Sequence, residues 1–279
     1  MMRLITILLF CLLSVSSFAD GPKRELRGVW VATVQNIDWP SPHNYDGAKQ
    51  KSEFIDILNS HQKTGINALF VQIRTASDAL YAKSAEPWTT YLSGKQGQAP
   101  SPYYDPLEFM IDQTHARGME FHAWLNLNRA SMSSRSLLSS EHVARKHPEW
   151  LLTYNGQLLF DFGIPAARHY IAGLVRNILL NYDVDGIHFD DYFYPEGQTF
   201  NDQADFQKYG AGISTIQNFR RENVNKAIKG VYDAIVATKP GVVFSVSPAP
   251  DINKNFNSLY ADVKKWNQEG WVDVVIPQL

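Results

Sequence analysis

The sequence predicts an α/β protein on a parallel sheet, arranged as a (β/α)8 TIM-type barrel cut short after its sixth strand within the 279 residues. Three observations predict it. Strand-like apolar runs alternate with amphipathic stretches from Leu26 to the end of the chain. Four of those stretches stop at glycine (Gly65, Gly118, Gly241 and Gly270), the stop signal of a helix that feeds a strand. The long connections, Thr75 to Asp105, Asn128 to Ile164 and Pro195 to Ile213, all follow strand C-termini, where barrel enzymes build their sites.

In order, a strand over Leu26 to Val34 leads to a helix over Ala48 to Thr64, and a strand over Asn67 to Arg74 to a helix over Pro106 to Arg117. Met119 to Leu127 is the third strand, followed by a helix over Pro165 to Tyr182. Gly186 to Tyr194, Val242 to Ser247 and Val272 to Leu279 complete the strands, with helices over Ser214 to Thr238 and Leu259 to Glu269 between them. The last run stops where a strand should hand over to its loop. No G-x-G-x-x-G follows the first strand and no G-x-x-x-x-G-K-[ST] occurs, so a nucleotide-binding sheet loses its usual support.

Apolar residues at 44% and charged residues at 19% argue against disorder and against a coiled coil. Lys and Arg number 26 against 28 Asp and Glu, so nothing suggests nucleic acid as a partner. At the N-terminus, Arg3 precedes the apolar run Leu4 to Leu13 and then Ser17-Phe18-Ala19, a small-x-small cleavage pattern. Residues 1–19 are read as a signal peptide and 20–279 as the barrel domain, incomplete at its C-terminus. The run falls short of the roughly 20 residues needed to span a bilayer, so no stable membrane insertion follows cleavage. Lipidation at Cys11 is the weaker alternative, because bulky Phe10 precedes it. Export to the periplasm or beyond is expected, and the mature chain has no cysteine for a disulfide or thiol chemistry.

Alternation sorts the strands into two faces. Leu69, Val71 and Ile73 oppose Gln72 and Arg74; Phe121, Ala123 and Leu125 oppose His122, Trp124 and Asn126. Ile187 and Phe189 oppose His188 and Asp190, Phe244 and Val246 oppose Ser245 and Ser247, and Gln278 ends the last strand. With the apolar sets under the helices, the polar sets converge at the barrel mouth. Each polar member alone is also explained as a hydrogen-bonded interior residue, and Arg74 with Asp190 as a mutually neutralising pair.

The strongest chemical signal is Asp185-Gly186-Ile187-His188-Phe189-Asp190-Asp191-Tyr192. Asp185 is a turn former. Asp190 and Asp191 are adjacent, so in an extended chain they point to opposite sides: Asp190 into the site, Asp191 at the rim or orienting a neighbour. Glycoside hydrolysis usually needs two carboxyl groups, about 5 Å apart for retention and about 6.5 to 9.5 Å for inversion. Asp190 is the candidate nucleophile, base or electrostatic stabiliser. Glu86, Glu196 and Asp78 are candidates for the acid, Glu86 foremost because Pro87 and Trp88 can give it an apolar setting that raises its pKa. Trp88, Tyr91, Trp124, Tyr192 and Tyr194 stand where sugar rings can stack, or where they simply pack. No H-E-x-x-H or H-x-H pattern and no G-x-S-x-G elbow is present, so no metal site or serine nucleophile is assigned, and hydrolysis needs no cofactor.

Leu26-Arg27-Gly28-Val29-Trp30-Val31-Ala32, Phe70-Val71-Gln72-Ile73-Arg74, Asp78-Ala79-Leu80-Tyr81, Pro87-Trp88, His122-Ala123-Trp124-Leu125-Asn126, the Asp185–Tyr192 segment and Pro277-Gln278-Leu279 together resemble the bacterial glycosyl-hydrolase-like family related to family-ten glycosidases. Its members are secreted or lipid-anchored envelope proteins, and the resemblance runs from about residue 24 to the end. It implies a (β/α)8-type barrel with a polysaccharide cleft at the strand C-termini and a bacterial cell-wall glycan, peptidoglycan, as substrate. It places Arg74, Asp78, Trp88, Trp124, Asn126, Arg129, Asp190, Asp191, Tyr192, Ser247 and Gln278 in that cleft. Two departures stand out. The usual Tyr-Trp and two further strands after Pro-Gln-Leu are missing, and Asn-Pro-Tyr-Arg is replaced by Asn126-Leu127-Asn128-Arg129.

The combined expectation is an exported glycoside hydrolase with catalytic Asp190, Asp191 and Glu86, and with His188 added to the substrate contacts. The alternatives are a non-catalytic carbohydrate-binding envelope protein and a metal-dependent polysaccharide deacetylase using His188, Asp190 and Asp191.

Overall fold

A computed structural model describes residues 25–191, 193–196 and 200–279. The expected signal segment and Tyr192 lie outside the described residues. Six strands form one parallel sheet: β1 (Gly28–Val31), β2 (Ala68–Arg74), β3 (Glu120–Leu125), β7 (Gly186–Phe189), β8 (Val243–Val246) and β9 (Val274–Val275), in the order β1-β2-β3-β7-β8-β9. Each falls inside one of the six runs read from the sequence, and the order is sequential, as barrel winding requires.

The helices start and stop where local chemistry permits. Asp46 and Asp105 cap the helices Gly47–Lys63 and Pro106–His115 by accepting from Ala48 N and Leu107 N. Gly65, Gly118 and Gly270 take φ of +81°, +69° and +66°, the left-handed turn that lets the chain reverse into a strand. The helices Pro165–Asn181 and Ile216–Thr238 pack together and, with the other two, cover the outer face of the sheet. Leu69, Val71, Phe121, Ala123, Ile187, Phe189, Phe244 and Val246 are buried in a single core on that face.

The inner face is stepped in rungs. Parallel register aligns Trp30 with Phe70, Phe70 with His122 and His122 with Gly186; one rung higher it aligns Gln72 with Trp124, Trp124 with His188, His188 with Ser245 and Ser245 with Val274. Rings fill the lower rung over glycines. A Cβ on Gly186 would stand 2.0 Å from Nδ1 of the buried His122. Gly186→Ala is therefore expected to cost about 1–3 kcal/mol by overpacking, read as a lower thermal unfolding midpoint.

One element differs from the expectation of a plain loop between Asn128 and Ile164. An antiparallel sheet stands there, β4 (Arg129–Ser131), β5 (Leu151–Tyr154) and β6 (Gln157–Phe160), in the order β4-β6-β5. Its hairpin turns on Asn155-Gly156, with φ of 46° and 75°, the positive pair that a two-residue turn demands. β4 carries Arg129 and leads on to Met132 at the mouth of the main sheet.

Candidate active site

A cavity of about 760 Å³ opens at the C-terminal ends of the parallel strands, within the usual range for small-ligand sites. Trp30, Trp124, Met132, Ile37 and Ile276 supply apolar wall; Gln72, Arg129, Asp190, Asp191, Ser247 and Gln278 supply polar groups. Trp30 is 36% exposed and stacks on Phe70 at 4.6 Å, leaving its other face to the cavity.

Asp190 follows β7 directly and is buried, yet its residue lines the cavity. Its carboxylate is gripped from β3: the Trp124 indole Nε1 donates to Oδ2 at 3.2 Å, and Asn126 Nδ2 donates to Oδ2 at 3.0 Å and Oδ1 at 3.3 Å. Burial pushes its pKa up to about 6, the adjacent Asp191 adding to the rise, while Arg129 and the donors from Trp124 and Asn126 oppose it. Asp191 is half-buried and also raised by burial, against the Gln278 amide, Lys254 and Arg129. Asp191 and Arg129 also line a side cavity of about 230 Å³ with Asn128, Gln157 and Lys254, so these two residues form the partition between the spaces.

His188 lies beneath the cavity. Trp30 Nε1 donates to its Nε2 at 3.2 Å, so the proton sits on Nδ1, which donates to Ser245 Oγ at 2.8 Å. Burial, helped by His122, lowers its pKa to about 3, so the imidazole is neutral. With both nitrogens engaged it offers no lone pair to an ion, and the deacetylase alternative loses its imidazole. Among the described residues no group of three His, Cys, Asp or Glu side chains is placed to hold a metal. Ser247 Oγ touches His188 Nε2 at 3.2 Å and receives Gln278 Nε2 at 3.3 Å, which ties the end of the chain to the floor.

The remaining expected residues stand elsewhere. Glu86 is withdrawn from the cavity: its side chain is fully buried and accepts from Arg74 Nε at 2.7 Å and Nη2 at 2.8 Å. A carboxylate gripped by a guanidinium with no solvent is a poor proton donor, so this position does not furnish the acid. The Arg74–Asp190 pair considered from the sequence is likewise replaced by Arg74–Glu86. The physical reason is a bulge: the register with β3 shifts between Gln72 and Arg74, so Gln72 faces the cavity opposite Trp124 while Arg74 stands opposite the core residue Leu125. Asp78 is buried, held by Thr75 Oγ1 at 3.0 Å and Gln96 Nε2 at 3.5 Å, with its pKa pushed up to about 6 by burial. Trp88 packs against the core, and neither residue is among those lining the cavity. Glu196 pairs with Lys254 at 2.9 Å on the rim of the side cavity.

Sequence reasoning missed Trp30, Ile37, Met132 and Ile276 as cavity wall. For Trp30 the signal was present, since Val29 and Val31 alternate with Gly28 and Trp30 as in the other strands; for Met132 there was none.

Among solved structures the chain resembles alpha-L-fucosidase isoenzyme 2 from Paenibacillus thiaminolyticus, with a TM-score of 0.56 and 16% identity over 80% of this chain and 32% of that one. That likeness concerns the fold. In sequence it is 44% identical over 277 residues to glycosyl hydrolase YngK of Bacillus subtilis (strain 168), and 34% identical over 290 residues to glycosyl hydrolase DigH of Escherichia coli (strain K12). Each alignment covers 92% of this chain but only 54% and 65% of those relatives' lengths. The family model for glycosyl hydrolase-like 10 matches residues 25–279, and the chain belongs to that family.

Proposed function

We propose that this chain is the carboxylate-bearing part of an exported glycoside hydrolase that cleaves the glycan strands of bacterial peptidoglycan, with Asp190 reacting in its ionised form. The observation that carries the reading is the setting of Asp190. A single buried carboxylate, held by two donors, faces a cavity walled by two tryptophans at the C-terminal end of a parallel sheet. Donors aimed at both oxygens favour the charged form, while burial keeps that charge poorly solvated and therefore reactive.

Asp190 and Asp191 are the carboxylates among the described lining residues. Consecutive residues stand too close for one to attack the anomeric carbon while the other protonates the leaving oxygen from the opposite side, so the nucleophile is best supplied by the substrate. A 2-acetamido oxygen placed beside the anomeric carbon fits a cell-wall glycan; Asp190 stabilises the charge that develops, and Asp191 at the rim serves the leaving oxygen. Gln72, Ser247 and Gln278 supply hydrogen bonds to hydroxyls, and Trp30 and Trp124 supply the stacking faces.

The test is to incubate the full-length protein with purified glycan strands, with and without peptide stems, and with a 2-hydroxyl glucan, reading products by mass. Cleavage of the acetamido glycan alone is expected. The kcat/KM profile should rise with pH through about 6, following ionisation of Asp190; a fall through that pH would make Asp190 the proton donor instead. A second reading, a carbohydrate-binding envelope protein without turnover, draws support from the withdrawal of Glu86 into its pair with Arg74. Retention of glycan by a protein that releases no products would establish it.

A further inference from the structure

We propose that Tyr170, Glu86 and Arg74 form a positioning chain that holds Asn126 against the Asp190 carboxylate. The inference rests on the reading of Asp190 as the reacting group and assigns work to residues that never touch the cavity.

The links run inward from the outer helix layer. Tyr170, on the helix Pro165–Asn181, donates its hydroxyl to Glu86 Oε1 at 3.1 Å. Glu86 receives the Arg74 guanidinium through both oxygens, at 2.7 and 2.8 Å. Arg74 directs two further donors to Ser77 Oγ at 2.8 Å and, through Nη1, to the Asn126 carbonyl at 2.6 Å. The Asn126 backbone N–H answers to Arg74 O at 3.0 Å, and its side-chain Oδ1 accepts from Arg129 N at 2.9 Å. With backbone and Oδ1 both fixed, the Nδ2 group has one orientation left, toward Asp190.

A structural role alone is a weak explanation for this arrangement. Both charged side chains are essentially unexposed, at 1% and 0%, and a buried ion pair is often no more stabilising than apolar residues of equal volume. The planar five-donor fork is what lets a single side chain grip two carboxylate oxygens, a hydroxyl and a carbonyl at once; a lysine reaches one of these geometries at a time. Ser77 is held at φ 51° beside the fork, which shows how tightly the loop is closed around it.

The charged groups facing Asp190 are Asp191 from its own loop and Arg129 from β4; Trp124 and Asn126 are its neutral donors, and His188 below stays uncharged. The Trp124 Nε1–H donates to Asp190 Oδ2, so its ¹H–¹⁵N indole resonance, assigned with Trp124→Phe, reports protonation of Asp190 without any turnover. In the unaltered protein its midpoint should fall near 6.

Glu86→Gln loosens Arg74 and with it Asn126, and the midpoint should rise by roughly half to one pH unit as the donor to the carboxylate weakens. Tyr170→Phe leaves the ion pair in place and should give a smaller rise in the same direction, with kcat falling and KM unchanged. If Glu86→Gln does not fold, Tyr170→Phe decides. A cooperatively folded variant whose midpoint stays within about 0.1 unit of the unaltered protein overturns the positioning chain. Full glycan cleavage by Asp190→Asn instead overturns the reading of Asp190, and leaves the titration result standing on its own.

Discussion

On the proposed function, replacing Asp190 with Asn is expected to lower glycan cleavage by about 10³-fold or more, the usual cost of losing a group that handles charge or protons at the reacting centre. The substitution keeps the side-chain volume between Trp124 and Asn126, so the fold is retained. At about pH 4.5, where little of the penalty on the buried charge has developed, the unfolding midpoint should stay within some 2–4 °C, the equivalent of about 1 kcal/mol for a chain of this size. The difference has a definite pH dependence. The Asp190 pKa is raised in the folded state, to about 6, so its contribution to stability is fully present below its unfolded value and is lost as pH rises through about 6. An amide carries no such penalty, so the variant gains on the unaltered protein between pH 4.5 and 7. Scanning calorimetry at those two pH values checks the sign, and mass analysis of released glycan checks the rate; a variant that is folded and fully active would remove Asp190 from the chemistry.

The largest loss of stability belongs to Arg74→Ala, at about 3–5 kcal/mol, because the substitution strands the fully buried Glu86 carboxylate. It also deprives Asn126 of its carbonyl donor and leaves space over the Phe160 ring, which the guanidinium covers at 5.7 Å. The double variant Arg74→Met, Glu86→Leu removes both charges and keeps the volume, and should recover most of that loss. Urea denaturation of the single and double variants measures the coupling. A double variant no more stable than Arg74→Ala would mean that packing, and not the stranded charge, sets the cost.

Most of the sheet was legible because it depends on local signals. Alternation along β2, β3, β7 and β8 is a two-residue property, and the glycine stops at Gly65, Gly118 and Gly270 are single-residue properties that the observed φ values express directly. The antiparallel hairpin was equally legible in Thr153-Tyr154-Asn155-Gly156-Gln157-Leu158, yet the long connection around it masked the signal. Glu86 was not legible. Its partner lies 12 residues away, and the bulge that turns Arg74 out of the Gln72 face depends on how β2 meets β3. Strict two-residue alternation placed both on one side; a single slipped residue was enough to convert a candidate acid into a scaffold ion. The grip on Asp190 by Trp124 and Asn126 was half legible: alternation placed the three together, but not which atoms would meet.

The neutral His188 has one more consequence. Because the imidazole stays unprotonated far into acid, the layer beneath the cavity keeps constant polarity while the Asp190 flank above it titrates near pH 6. If the chain turns over a glycan as proposed, acidification should therefore slow turnover well before it loosens grip, since the floor under the cavity does not change charge when Asp190 does.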